Sequence, residues 1–232
     1  MILKSLSLPA LLTITIIAMA SQSSCRHKPD ISYLRTGDLL FATSHPNADG
    51  LDQAINDVTQ TSKHTDYTHV GIVEVDDEAV WVIHAAPIKG VTREPIESFL
   101  VDQNVVDAYR LVEEYREFIP DAIEKAHALL GLPYDYTYML GSGGHYCSGF
   151  IYTIFEHYGV FDLEPMTFKD PRTGEFHKDW IDHYKEMGIE IPEGQPGCHP
   201  NGLAGSAVLR FLNRVQESVA NKPISFLSFG EY

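Results

Sequence analysis

One cysteine and two histidines carry the chemistry open to this chain: Cys147, His69 and His84. Cys147 follows a glycine-rich run, Gly141-Ser142-Gly143-Gly144, and precedes Phe150, Ile151, Ile154, Phe155 and Tyr158. Those apolar steps of three and four residues predict a buried helix that begins at the cysteine. A thiol there meets unpaired N–H groups and the positive end of the helix dipole, which favour the thiolate. The thiolate is the nucleophile of cysteine hydrolases. The competing reading is a small hydrophobe filling a helix–loop junction.

Tyr67 to Val75 is rich in β-branched residues and reads as a central strand beginning at His69. Asp76-Asp77-Glu78 is a turn, and Ala79 to Ala85 the antiparallel return ending at His84. A tight hairpin sets the start of one strand beside the end of the next, so the two histidines are expected to be neighbours. His69 then takes the proton of Cys147, and His84 orients the His69 ring. A neutral imidazole orients less strongly than a carboxylate, lacking the charge that stabilises imidazolium. No close-spaced ligand pair supports zinc, and neither metal nor cofactor is expected. Cys198 offers a structural alternative for Cys147, a disulfide in an exported protein.

The remaining elements must position these residues. Leu34 to Phe41 reads as a turn entering a short buried strand. Residues 49–62 read as a helix with Asp49 at its N-cap, and residues 105–111 as a strand. Pro120 to Leu130 is a helix with Pro120 near N1 and Gly131 as its stop. Helical patterns recur near 179–187 and 205–216.

Residues 1–24 have the basic start and apolar run of a secretory signal, too short for a membrane span. Cleavage after Ala20 competes with lipidation of Cys25 behind Ser23-Ser24, and the lipoprotein is the expectation. Residues 25–32 are a polar tether and 33–232 one domain. The protein is thus expected in a bacterial cell envelope, held to the membrane if Cys25 is modified, or soluble after cleavage at Ala20. The formal net charge of −15 argues against nucleic-acid partners.

Gly37-Asp38-Leu39-Leu40, Thr68-His69-Val70-Gly71-Ile72, Tyr134-Asp135-Tyr136 and Tyr146-Cys147-Ser148, in that order, resemble the circularly permuted papain-like amidases of the YiiX/YaeF type. These are relatives of NlpC-type cell-wall peptidases and of lecithin:retinol acyltransferases. The resemblance implies an α+β fold, an antiparallel barrel-like sheet with the cysteine at the N-terminus of a packed helix. It implies Cys147 as nucleophile, His69 as general base and acid, and His84 at the third position, where the family often has glutamate. Gly149 is a second departure, since glutamate commonly follows the Cys-Ser pair. Tyr146 and His145 are candidates to shape the site, and Tyr134 and Tyr136 to line a groove. The expected reaction is amide hydrolysis of an acylated amine or a peptide, cell-wall material included, through an acyl-enzyme. A lipid acyltransferase or thioesterase with the same site, and a non-catalytic envelope binding protein, are the alternatives.

Overall fold

A four-residue strand with every side chain buried needs neighbours on both edges and cover on both faces, and Leu39–Ala42 (β1) is such a strand. The computed structural model describes residues 29–44, 50–59, 61, 65–101 and 103–217. The signal, Cys25 and the Asp49 cap fall outside them; Gly50 occupies the N-cap of the first helix. In chain order β1 is followed by α1 (Leu51–Val58), β2 (His69–Val75), β3 (Val80–Ala86), β4 (Gly90–Pro95) and α2 (Ile96–Val101). Next come β5 (Val106–Leu111), a 3-10 turn, α3 (Ile119–Ala128) and α4 (Cys147–Phe155). The described residues close with β6 (Glu164–Pro165), α5 (Lys178–Met187), β7 (Pro196–Gly197), α6 (Pro200–Gly205) and β8 (Leu209–Gln216).

Six strands form one antiparallel sheet in the order β4-β3-β2-β1-β5-β8. The sheet is open, with β4 and β8 as edges, rather than closed into a barrel. Alternation along the strands sorts their apolar residues onto two faces. Phe41, Val70, Ile72 and Ile83 join Ala122 and Ala126 of α3 and Phe150, Ile151 and Ile154 of α4 in one cluster. Leu40, Val73 and Val82 pack with Ile96, Phe99 and Leu100 of α2 in a second. The α4 side chains Phe150, Ile151, Ile154 and Phe155 are essentially fully buried, worth ~1.5–3 kcal/mol each. A third cluster joins α1 to α5 through Ala54, Val58, Trp180 and Tyr184.

The helical reading of 205–216 is corrected: the helix ends at Gly205, and Leu209–Gln216 is a strand. Two register shifts against β5 explain the misleading pattern. Asp107 faces Arg214 while Val106 faces Gln216, so Val215 is an extra residue; Leu212 is skipped likewise between Phe211 and Asn213. Two bulges turn the two-residue alternation of a strand into a three-residue step, Leu209, Leu212, Val215, which imitates a helix.

The Gly37-Asp38 motif anchors the start of the sheet. Asp38, 1% exposed, accepts from Arg110 Nε at 2.6 Å and Nη2 at 2.7 Å, and from the Arg35 N–H at 2.8 Å. The same guanidinium donates to the Tyr33 carbonyl at 2.9 Å. At the other end, fully buried Asn201 accepts from the Tyr67 N–H at 2.9 Å and from Thr65 Oγ1 at 2.8 Å. This clamp fixes the residues that lead into β2, and hence the place where His69 begins.

Candidate active site

Pairing between β2 and β3 runs from Val75↔Val80 to Ile72↔Ile83 and stops. Beyond it β2 continues through Gly71, Val70 and His69 beside β1 alone. The main-chain groups released by this divergence are taken by the thiol of Cys147. Its Sγ donates to the Thr68 carbonyl at 3.8 Å and receives the N–H groups of Val70 and Ser148. The nucleophile candidate is therefore docked on the two residues that flank His69.

The predicted neighbourhood of the two histidines is present. His69 Nε2 lies 2.7 Å from His84 Nδ1, and the rings meet edge to face. His84 Nε2 in turn lies 3.0 Å from Glu94 Oε1, and Lys89 Nζ donates to Glu94 Oε2 at 2.8 Å. Gly71 allows this approach, since a Cβ there would stand 2.6 Å from Val82 Cγ1 and 3.1 Å from His84 Cβ. Phe99 of α2 packs on both imidazoles.

Thr68, His69, His84, Glu94, Phe99 and Tyr134 are among the residues that line a cleft of about 320 Å³. Glu94 and Tyr138, also in its wall, escaped sequence reasoning. Glu94 stands on β4 opposite Val82, on the same face as His84. Its only signal is that Gly90 to Pro95 continues the hairpin as a third strand. The other candidates divide. Tyr134 lines the cleft, with Tyr136 packed against it at 4.9 Å. His145 works through its main chain, bridging to Pro133 and Asp135 and so closing the glycine loop before Cys147. Tyr146, 2% exposed, caps α4 and turns away, its hydroxyl receiving the Cys198 N–H at 3.3 Å. A Cβ at Gly149 would lie 2.6 to 2.9 Å from the Tyr146 ring, so this ring fills the space of the family's usual glutamate. Cys147 and Cys198 are free thiols, not a disulfide.

Burial dominates the electrostatics. Desolvation pushes the Cys147 thiol up to about 11, although the N–H groups of Ser148 and Val70 pull the other way. The helix terminus thus softens the cost of a thiolate without overcoming it. Desolvation, helped by repulsion from His84, takes His69 down to about 3. The hydrogen bond from His84, reinforced by Lys89 against desolvation, holds Glu94 at about 2. The resting site is a neutral thiol and a neutral imidazole backed by an ionised carboxylate.

An unfolded histidine titrates near 6.5, but folded His69 only near 3, so between these values the unfolded chain binds the extra proton. Stability is expected to fall as pH drops from 6.5 toward 3, and Glu94, shifted from 4.5 to about 2, adds loss of the same sign below 4.5. The urea midpoint should drop between pH 7 and pH 4, with a slope shallower by about one proton in His69→Gln. A midpoint independent of pH over this range would contradict a buried neutral ring.

An antiparallel sheet with a cysteine-led helix packed across it defines a papain-like cysteine hydrolase, here with the cysteine helix after the histidine strand instead of before it. Residues 33–212 match the model of the permuted papain-like amidase enzymes, YaeF/YiiX, C92 family, and the chain belongs to that family of C–N-cleaving hydrolases. The fold is similar to the crystal structure of metalloprotein yiiX from Escherichia coli O157:H7. The TM-score is 0.62 at 20% identity, over 78% of this chain and 98% of that one. No curated protein sequence matched the chain. As for a metal here, no group of three or more His, Cys, Asp or Glu among the described residues is placed to hold one. His69 Nε2 and His84 Nδ1 are spent on each other at 2.7 Å, and His84 Nε2 on Glu94 at 3.0 Å. These residues do not fit a resident ion, and no step is derived through one.

Proposed function

We propose that this protein is an exported cysteine amidase in which Cys147, His69, His84 and Glu94 act in series. The relay from His69 to His84 at 2.7 Å and on to Glu94 at 3.0 Å carries this reading. His84 occupies Nε2 of His69, which leaves Nδ1 for the proton of the thiol. As Sγ bonds to the substrate carbonyl carbon, His69 takes that proton and the carbonyl oxygen becomes an oxyanion. The Cys147 N–H at the first turn of α4 is the oxyanion donor. The C–N bond then breaks, the amine leaves with the proton from His69, and water releases the acid and restores the thiol. Glu94 supplies, one residue removed, the charge that a histidine in the third position lacks. It stabilises the imidazolium through His84 without touching the substrate. The substrate is a small amide, an acylated amine or a peptide of the cell envelope, reached by a chain exported on its N-terminal signal and tethered through lipidated Cys25.

Alkylation of Cys147 tests this directly. A thiol held near 11 is about one part in 10⁴ thiolate at pH 7. Cys147 is expected to react with iodoacetamide at pH 7 well above that rate and to lose the excess in His69→Gln. Equal, slow labelling of both proteins would sink the assignment. Glu94→Gln keeps the shape but removes the charge, and should lower kcat on a hydrolysed amide by about 10- to 100-fold with KM little changed. An unchanged kcat would reduce Glu94 to a surface partner of Lys89.

A further inference from the structure

Among the described residues, two that are not glycine have φ in the left-handed region, Ile88 at 69° and Tyr138 at 54°. Both lie in or next to the wall of the cleft that holds His69, His84 and Glu94. Tyr138 lines it, and Ile88 stands between Pro87 and Lys89, which also line it. For a β-branched residue this backbone is strained, and strain of this kind persists only where neighbours enforce it. They do so here. The Lys89 N–H donates to the Pro87 carbonyl at 2.8 Å across Ile88, the Ile88 N–H donates to Tyr136 Oη at 3.0 Å, and Lys89 Nζ is fixed on Glu94.

The side chain gains nothing from the fold in return. Ile88 is 97% exposed, the most exposed large hydrophobic residue described. Glycine or asparagine would make the same turn with less strain. An apolar side chain held rigidly in water beside a catalytic cleft is explained by what enters the cleft. Tyr136 at 40% and Leu132 at 36% exposure add apolar surface on the neighbouring loop, and Phe99 and Ile55 line the interior.

We propose that Ile88 is a specificity residue that contacts an aliphatic arm of the substrate, so that the site takes lipid-like amides in preference to short polar ones. This rests on the amidase reading above. The test compares labelling of Cys147 by iodoacetamide and by N-dodecyl iodoacetamide. Each rate is normalised to a free cysteine peptide, and peptide mapping separates Cys147 from Cys198. In the wild type the dodecyl reagent should be favoured by about tenfold, and the ratio should fall toward one in Ile88→Asn and Ile88→Gly. Both variants should melt no lower than the wild type, since strain is relieved. A wild-type ratio near one, or a ratio unchanged in the variants, would overturn the aliphatic-arm proposal and leave the amidase reading standing. Failure of both reagents to label wild-type Cys147 would overturn both.

Discussion

Cys147→Ala is expected to reduce amide hydrolysis by about 10⁴-fold or more, and His69→Ala to do nearly the same, because the nucleophile and its base act as one unit. The double variant should be little worse than either single one, which kcat/KM on a common substrate would reveal. The fold should survive the cysteine change. Cys147 packs among Val70, Phe150 and Ile151, and its loss removes one small side chain from a large cluster, about 1 kcal/mol. The main-chain groups of Thr68 and Val70 that the thiol satisfies would pass to water in the adjoining cleft. Residual turnover within tenfold of wild type in Cys147→Ala, with matching melting curves, would remove Cys147 from the reaction.

Asp38→Ala should cause the largest loss of stability, about 3 kcal/mol, and lower the melting temperature by roughly 10 °C. The carboxylate is 1% exposed and meets Arg110, itself largely buried, through two charge-assisted bonds. Removing it strands a guanidinium in the sheet and releases the Arg35 N–H. A buried pair is costly to break and cheap to replace whole, so Asp38→Leu combined with Arg110→Met should recover much of the loss. Melting within 2 °C of wild type, roughly the shift of a minor surface change, would show that solvent already screens the pair. Because β1 pairs with β2 along Leu39↔Ile72 to Ala42↔His69, a loosened β1 should also lower the activity that depends on His69.

The placement of the three candidate site residues was legible in the sequence because each rests on a local rule. A helix start behind a glycine loop singled out Cys147. Two β-rich runs around Asp76-Asp77-Glu78 put His69 beside His84 before any packing was considered. The order of these motifs along residues 33–160 carried the resemblance that the family match over 33–212 bears out. Glu94 was not legible, since its place in the relay depends on a third strand lying against β3 with Thr92 opposite His84. Nor was the turn of Tyr146 away from the cleft, which needs both Gly149 and the approach of the Cys198 loop.

By itself, then, the sequence determined the nucleophile candidate, the candidate base, the hairpin that sets His69 beside His84 and the permuted order of the fold. These follow from periodicity and turn chemistry, which act within a few residues. Tertiary structure alone decided the protonation of the site and the register of the last strand. Helix-dipole reasoning favoured a thiolate, but burial among α4 and the sheet outweighs the terminal N–H groups and keeps the thiol protonated. The three-residue apolar step in Leu209–Gln216 looks helical until β5 supplies the partner against which two bulges make it a strand. Desolvation and strand pairing are sums over residues distant in the chain, so no local reading reaches them.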